Sequence, residues 1–453
     1  MSRLAAVERG RPGEFVLQRR PIYDALKQLA PIAGWLALLT LYYVFVATAG
    51  KFELLSWNTD YYDLLAESIR RGQLHLPVIP KPRLLAKSNP YDYKYARSWL
   101  WDASLYKGHY YLYWGPIPGV CLWLYKLIAN VRETVHDQWL LLVFMLGRLY
   151  MGSALIVVYA RTQGRKVASW ALQLAILVFG LASPTPYFMA RPLVYEVSIA
   201  SGQMFLFSGL LASYVGLLRP LLRTRLFVLA GCCFACAFGS RGSLLVVAPL
   251  VVLVTALVTS RPAGYAPRKL LGALLALGVP VAAGLGAYLI YNKLRFDSFR
   301  EFGLTYQLTS RPFETQNRWF WPNVVSYLSS DHSWSCRFPF VKLPRERALT
   351  PLIEWPDDYD IGNWDKGERT SGILAGMSIC WLWLTWWWRA ADSGMRVRAR
   401  VLLDRGGSRS LAFSQRELWW LGVSTAMVCA LLPASRMWMA NMRFLQDAAG
   451  GIQ

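Results

Sequence analysis

"YYLYWGPIPGVCLWLYKLI", Tyr110 to Ile128, is long and apolar enough to cross a bilayer, yet Gly115, Pro116, Pro118 and Gly119 interrupt it. A proline inside a helix removes one backbone donor and clashes with the preceding turn. How this stretch is read decides the side of the membrane on which every later loop falls. If it crosses, Arg161, Arg165 and Lys166 lie opposite the basic amino terminus, and each later basic loop is reversed with them. If it is a broken helix at the surface, every basic cluster falls on one face. Those clusters are the amino terminus (Arg3, Arg9, Arg11, Arg19, Arg20), "RTQGRK" at 161–166, "RPLLRTR" at 219–225, "RPAGYAPRK" at 261–269 and the arginine-rich run 389–416. The positive-inside rule asks for that common face. We therefore read 110–128 as lying at the outer surface without traversing, where non-helical backbone needs cover from protein or water.

Around this segment the chain reads as an all-α polytopic membrane protein. It has 453 residues, 55% of them hydrophobic, with 21 tryptophans, which is too apolar and aromatic for an ordinary soluble enzyme. Stretches of roughly 20 apolar residues, enough to cross about 30 Å of hydrocarbon, recur along it. About nine spans are expected: Ala30–Ala49, Trp139–Ala160, Ser169–Met189, Val194–Leu218, Leu226–Gly239, Leu244–Ser260, Leu270–Tyr291, Gly372–Trp388 and Leu418–Pro433. Residues 1–29 form a cytoplasmic basic segment without a cleavage site, so the first helix is retained. Residues 30–453 form a single transmembrane domain with external regions at 50–138 and 292–371. The first of these contains juxtamembrane helices.

The formal charge of +22 is spread over short clusters between apolar runs, so it sets orientation and does not mark a nucleic-acid partner. Six of the seven cysteines lie in apolar runs, which excludes a disulfide framework or zinc ribbon. "CCFAC", Cys232 to Cys236, reads as small-residue helix packing. No Walker loop or GxGxxG signature is present.

On this topology "SWNTDYYDLLAESIRRGQLHLP", Ser56 to Pro77, sits outside, just past the first span. Two readings of its acids stand. In one, Asn58 or Thr59 caps a helix, Asp60 complements its dipole, and Asp63 and Glu67 form a solvated face. In the other, Asp60 is a carboxylate base beside the mouth of whatever the helices enclose.

The order of motifs resembles the GT-C superfamily of lipid-dependent glycosyltransferases, in an uncharacterised bacterial branch. An acid, Asp60, follows the first span, then come "LLAESIRRGQLHLP", the proline-interrupted "YLYWGPIPGVCLWLY", and a span carrying Arg148. Further likeness lies in "RPLVYEV", "GSRGSLLVVAPL", "YNKLRFDSFREFGLTYQL" and "NMRFLQD". The chain departs from the family where Trp114, Gly115, Pro116 and Ile117 replace a Lys-Pro-Pro-Leu element, and where Asp297 stands in place of glycine. It also stops at Gln453, where relatives continue into further apolar sequence; a truncated reading frame is one explanation.

The resemblance implies a sugar donor carried on polyprenyl phosphate in the bacterial cytoplasmic membrane, used on its extracytoplasmic face, with a cell-envelope glycan, lipid or protein as acceptor. Such a reaction needs a carboxylate to take the acceptor's proton and positive charge where the leaving phosphate gathers its own. Asp60 and Glu196 are the catalytic candidates, and the two could share a divalent cation. Candidates for phosphate or substrate are Arg191, Arg241, Asp102, Lys107, His109, Arg295 and Arg443. Arg191 and Glu196 equally suit a snorkelling pair, Asp102 sits in what could be an aromatic membrane belt, and Arg148 reads as structural. The acids and aromatics between Glu354 and Glu368 suit an acceptor groove or a solvated loop. A secondary transporter or lipid flippase is the alternative, and a non-catalytic assembly protein a third. A transporter would show internal repeats and charge near the midplane, whereas these acids cluster at external helix ends.

Overall fold

The computed structural model describes residues 22–56, 58–162, 167–181, 185–261, 264–309, 316–329 and 415–428, with short pieces at 333–334, 336–337, 341–342 and 388. The expected span Gly372–Trp388, the tract Glu354–Glu368, most of the basic run 389–416 and Arg443 lie outside the described residues, Trp388 being the one exception in that span.

The apolar runs fold as helices close to where they were expected. These are α1 (Ile22–Ala47), α5 (Asp137–Thr162), α8 (Val194–Leu218), α9 (Arg223–Ser240), α10 (Leu244–Ser260), α11 (Pro267–Phe296) and, after a gap, α13 (Gln415–Val428). Among the described residues, four helical stretches are long and apolar enough to cross a membrane: 137–162, 194–218, 220–240 and 267–296. Shorter apolar helices cover 32–47, 117–129, 169–181 and 244–260. This is the build of an integral membrane protein, with four such helices described against about nine expected. The expected span Ser169–Met189 is divided into α6 (Ser169–Leu181) and α7 (Thr185–Met189). Its sequence places Pro184 and Pro186 at the join, where each removes a backbone donor.

α8 is the central helix, packed between α5 and α9. Close approach depends on small residues, as it does wherever burial from water is not the driving force. At Gly231 of α9 a Cβ would stand 2.3 Å from the Leu277 carbonyl of α11, so only glycine lets these two backbones meet. Next to it, Cys232, Cys233 and Cys236 of "CCFAC" are free thiols.

The segment 110–128 does not form one helix. Its first residues belong to a strand, and α4 (Ile117–Ala129) begins only after Pro116. α4 packs on α2 (Tyr61–Arg70), where Leu65 closes over Gly119. Its other side leaves Tyr125, Leu127 and Ile128 exposed, as suits a helix lying at an interface.

The region expected to be external, 50–138, also departs from the all-α expectation. β1 (Ser104–Tyr106) and β2 (His109–Tyr111) form an antiparallel hairpin, with Ser104 opposite Tyr111 and Tyr106 opposite His109. Lys107 (φ 48°) and Gly108 (φ 78°) supply the two left-handed residues that a tight hairpin turn requires. The residues after α11 pair onto this hairpin: Leu105 N–H donates to Tyr306 O (2.9 Å) and Leu308 N–H to Ala103 O (2.9 Å).

Side-chain contacts place the working parts at one end of the bundle. Thr59 meets Asp137 at the start of α5, Trp114 meets Tyr195 of α8 and Arg241 after α9, and Arg295 at the end of α11 meets Leu112. The opposite end is closed by Thr162 with Tyr214 (2.7 Å) and by Arg223 with Gly216 O (3.2 Å).

Candidate functional site

The first turn of a helix exposes backbone N–H groups with no partner inside the helix. At α2 these groups are satisfied from a distance. Asp137, fully buried, accepts from Tyr61 N–H (3.1 Å) and Tyr62 N–H (3.4 Å) and from the Thr59 hydroxyl (2.6 Å). The service is returned at α5, where Asn58 Oδ1 accepts from Gln138 N–H (3.0 Å) and Thr59 O from Asp137 N–H (2.9 Å). Gln138 binds the incoming chain at Leu55 and Glu53. Asn58 therefore caps α5, and the cap of α2 comes from α5. Asp60 occupies the N-cap position of α2 with φ −139° and ψ 25°, and its side chain makes no capping bond. Among the described residues its half-buried carboxylate has no hydrogen bond or ion pair.

Of the other two acids of this stretch, Glu67 lies on the solvated side that one reading expected and Asp63 does not. Asp63 is buried, paired with Lys126 of α4 (2.5 Å) and bonded by Val135 N–H (3.0 Å). It clamps α2 to α4 and to the approach of α5. Glu67 is held by Arg70 and Arg71, each at 2.6 Å, and these arginines keep its carboxyl down at about 2. Gly72 (φ 69°) then ends the helix.

Beside Asp60, the Tyr61 hydroxyl donates to the Trp101 carbonyl. Burial, and after it the carboxylates of Asp102, Asp60 and Asp137, hold this phenol well above its usual range. Asp102 (φ 56°) is thereby placed in the same electrostatic neighbourhood as Asp60. Trp101 packs edge-on to Trp99 (5.4 Å between centroids) and Tyr93 (6.2 Å), with Trp101 41% and Tyr93 60% exposed.

The next residue of α2, Tyr62, leads to the arginines. Its phenol is fully buried and is raised by that burial and by Asp137, while Ser198 and Arg241 pull it back. Ser198 Oγ donates to Ser240 O (2.7 Å), tying α8 to the end of α9. Arg241 follows, 5% exposed, with its guanidinium 5.2 Å from the centre of the Trp114 ring. Trp114 in turn meets Tyr195 (5.7 Å). Gly115 is required here, because a Cβ would lie 2.1 Å from the Gly239 carbonyl. Tyr195 and the buried Glu196 open α8. Before them Arg191 donates to the Tyr187 hydroxyl (2.7 Å). Burial works against the Arg191 charge, but Tyr187, Glu196 and Tyr195 outweigh it and hold the guanidinium above its ordinary value.

The remaining candidates have partners of a different kind. Lys107 pairs with Asp297 (2.7 Å), with both side chains more than half exposed. His109 stacks on His75 at 4.3 Å. Arg295 is 2% exposed, bound to the Leu112 carbonyl and to Asn292 Oδ1 (2.6 Å), with the Tyr291 ring 3.9 Å away. It anchors the hairpin to α11. Arg148, read as structural, is fully buried against Phe179 (4.6 Å) and near Thr185.

The structure links Asp60 and Asp102 to Tyr61 and links Arg241 to Tyr62 on the same helix, while Arg191 and Glu196 meet at the start of α8. Sequence reasoning missed Asp137, Tyr61, Tyr62 and the role of Trp114 beneath Arg241. An acid directly before an apolar helical run is an available signal for Asp137. Nothing local to residues 56–77 announces that it serves α2. Among the described residues no three His, Cys, Asp or Glu side chains come together as a metal site.

No protein-family model matches the chain, and no curated protein matches it. Among solved structures, the archaeal oligosaccharyltransferase AglB from Archaeoglobus fulgidus, in complex with an inhibitory peptide and a dolichol-phosphate, is similar in fold. The likeness covers 95% of this chain and 49% of that one, at 14% identity and a TM-score of 0.42. The chain therefore spans about half the length of AglB, and a likeness this loose carries no role with it.

Proposed function

We propose that the chain is a membrane glycosyltransferase that moves a sugar from a polyprenyl-phosphate-linked donor to an extracytoplasmic acceptor at the bacterial cytoplasmic membrane. The observation that carries the reading is the state of Asp60. It is a half-buried carboxylate with no partner of its own among the described residues, at the bundle end that also holds Arg191 and Arg241. An acid in the first turn of a helix ordinarily finds a use within that turn. Here the local work is done by Asp137, and the neighbouring acids Asp63 and Glu67 are spent on clamps.

In the proposed reaction an acceptor hydroxyl attacks the anomeric carbon of the donor while Asp60 takes its proton. The bond from that carbon to the phosphate oxygen breaks, and the lipid phosphate leaves with the electron pair. A phosphate leaving group needs no protonation, but it needs positive charge fixed in place. A guanidinium suits that task because its planar donors match phosphate oxygens. Arg241, stacked on Trp114, and Arg191, propped by Tyr187, are the two assigned to it. Glu196 orients Arg191 and the sugar hydroxyls. Asp102 lies on the acceptor side, beside the exposed rings of Trp101 and Tyr93.

The test is transfer of label from polyprenyl-phosphate sugars to a cell-envelope extract by purified protein in nanodiscs. Asp60→Asn is expected to abolish transfer with an unchanged melting temperature. A normal glycan product from that variant overturns the assignment of the base. Sidedness is tested separately by labelling Asp60→Cys with a membrane-impermeant maleimide, which should react from the outside of intact cells.

A further inference from the structure

We infer that Asp137 is a positioning residue that keeps Asp60 available for proton transfer, by capping α2 in its place. This inference rests on the reading of Asp60 as the base. An Asp at the N-cap of a helix normally turns its own carboxylate onto the amides two or three residues ahead. At α2 Asp137 accepts from Tyr62 N–H (3.4 Å), one of those two amides, and also from Tyr61 N–H (3.1 Å), across 75 and 76 residues of chain. Asp137 cannot drift from this position. It is fully buried, its own N–H is bonded to Thr59 O (2.9 Å), and the Thr59 hydroxyl donates back to Oδ2 (2.6 Å).

Asn58 strengthens the argument. It stands two residues before Asp60, is a good capping residue by type, and yet serves Gln138 at the start of α5 (3.0 Å). Both helices thus take their caps from each other. The Asp60 backbone, at φ −139° and ψ 25°, is outside the extended conformation from which an N-cap side chain usually reaches its amides. The cap supplied from α5 and the conformation of residue 60 go together. The carboxylate of Asp60 is left without a structural task.

The experiment reads Asp60 directly and does not need turnover. Carboxyl footprinting with a carbodiimide and glycine ethyl ester, followed by mass spectrometry, gives the reactivity of Asp60 relative to exposed Glu133 in the same digest. In the wild-type protein Asp60 should modify readily. In Asp137→Ala the emptied amides draw Asp60 into the cap, and its labelling should slow by about five-fold or more relative to Glu133. Asp137→Asn, which keeps an acceptor oxygen and is nearly as good a cap, should return labelling to near the wild-type rate. Thr59→Val removes only the hydroxyl that holds Asp137 and gives a milder slowing, so the test stands if Asp137→Ala fails to fold.

Turnover is measured in parallel with undecaprenyl-phosphate glucose, mannose and arabinose as donors. Asp137→Ala should lower kcat about a hundred-fold at an unchanged donor KM, with rescue by Asn. Wild-type labelling of Asp60 in both Asp137→Ala and Thr59→Val overturns the inference, whatever the activity. If labelling shifts as expected while Asp60→Asn retains normal transfer, the cap exchange stands and the base assignment fails.

Discussion

Two groups of charged residues occupy the same end of the bundle and differ in what their charges meet. Around α2 and the α9–α10 turn, Asp60 has no ion pair among the described residues, and the Arg241 guanidinium lies over the face of Trp114. Around the hairpin, Lys107 is neutralised by Asp297, and Arg295 is spent on a carbonyl and an amide oxygen. An aromatic face attracts a cation without neutralising it, and Trp114 gives the Arg241 guanidinium such a seat. A carboxylate 2.7 Å away does neutralise, and a phosphate competing for Lys107 would have to displace Asp297 first. Sequence alone ranks all three basic residues as candidates. The structure sets Arg241 over an aromatic face and Lys107 on a carboxylate.

The largest expected effect tests this separation. Arg241→Ala should lower kcat/KM for transfer by about 10²- to 10³-fold, the usual loss when one preorganised donor to a developing anion is removed. Arg241→Lys keeps the charge but loses the planar stack on Trp114, so it should recover only part of the rate. Lys107→Ala should change transfer by less than about two-fold, as expected of an exposed ion pair. Equal losses at positions 107 and 241, measured with the same labelled donor, would erase the distinction between the two groups.

A second effect separates Asp60 from Asp63, three residues apart on one helix. Asp63→Ala leaves the Lys126 ammonium half-enclosed without its counter-ion and frees the Val135 amide. Breaking a buried pair by removing one partner typically costs about 3 kcal/mol or more. Thermal unfolding in detergent should show that loss for Asp63→Ala and none for Asp60→Asn. Transfer should behave in the opposite way, falling far more for Asp60→Asn than for Asp63→Ala under conditions where both remain folded.

What was legible in the sequence follows from how local each signal is. Helices α8 and α10 fill the bounds that their apolar runs predict, since a long apolar run is itself the cause of the helix, and α10 tolerates Pro249 within it. That 110–128 is not one continuous helix was readable because proline acts on its own turn. The hairpin was missed although "YKGHYY" carries a two-residue turn with glycine, because aromatic residues there also suit a membrane belt. The caps of α2 and α5 could not be assigned from neighbouring residues. Asn58 and Asp137 each look like the cap of the helix that follows them, and each serves the helix the other precedes. Asp297 has the same character. It takes the left-handed C-cap of α11 (φ 57°), a position that favours glycine, and the reason an acid stands there is Tyr106 and Lys107, which bond its carboxylate from 191 and 190 residues away.

The smallest effect concerns Glu67, the third acid of the stretch and the one whose partners are both adjacent in sequence. Arg70 and Arg71 hold its carboxyl at about 2, below the ordinary 4.5, so folding is favoured by the charged form. A carboxyl depressed in the folded state contributes its full share above its unfolded value and loses it as pH falls through the folded one. The last turn of α2 should therefore hold firm at pH 5 and above and loosen progressively between about 4.5 and about 2. Hydrogen exchange at Gly72 and Gln73, corrected for intrinsic rates, should report that loosening. In Glu67→Gln the same amides should exchange faster at neutral pH and show no such step, while transfer remains at the wild-type rate. A carboxylate fully committed to its own helix end can be lost at the cost of fraying alone, whereas loss of Asp60 should remove the chemistry and leave the helix standing. If Glu67→Gln reduces transfer as severely as Asp60→Asn does, commitment to a local partner is not what distinguishes the acids of α2.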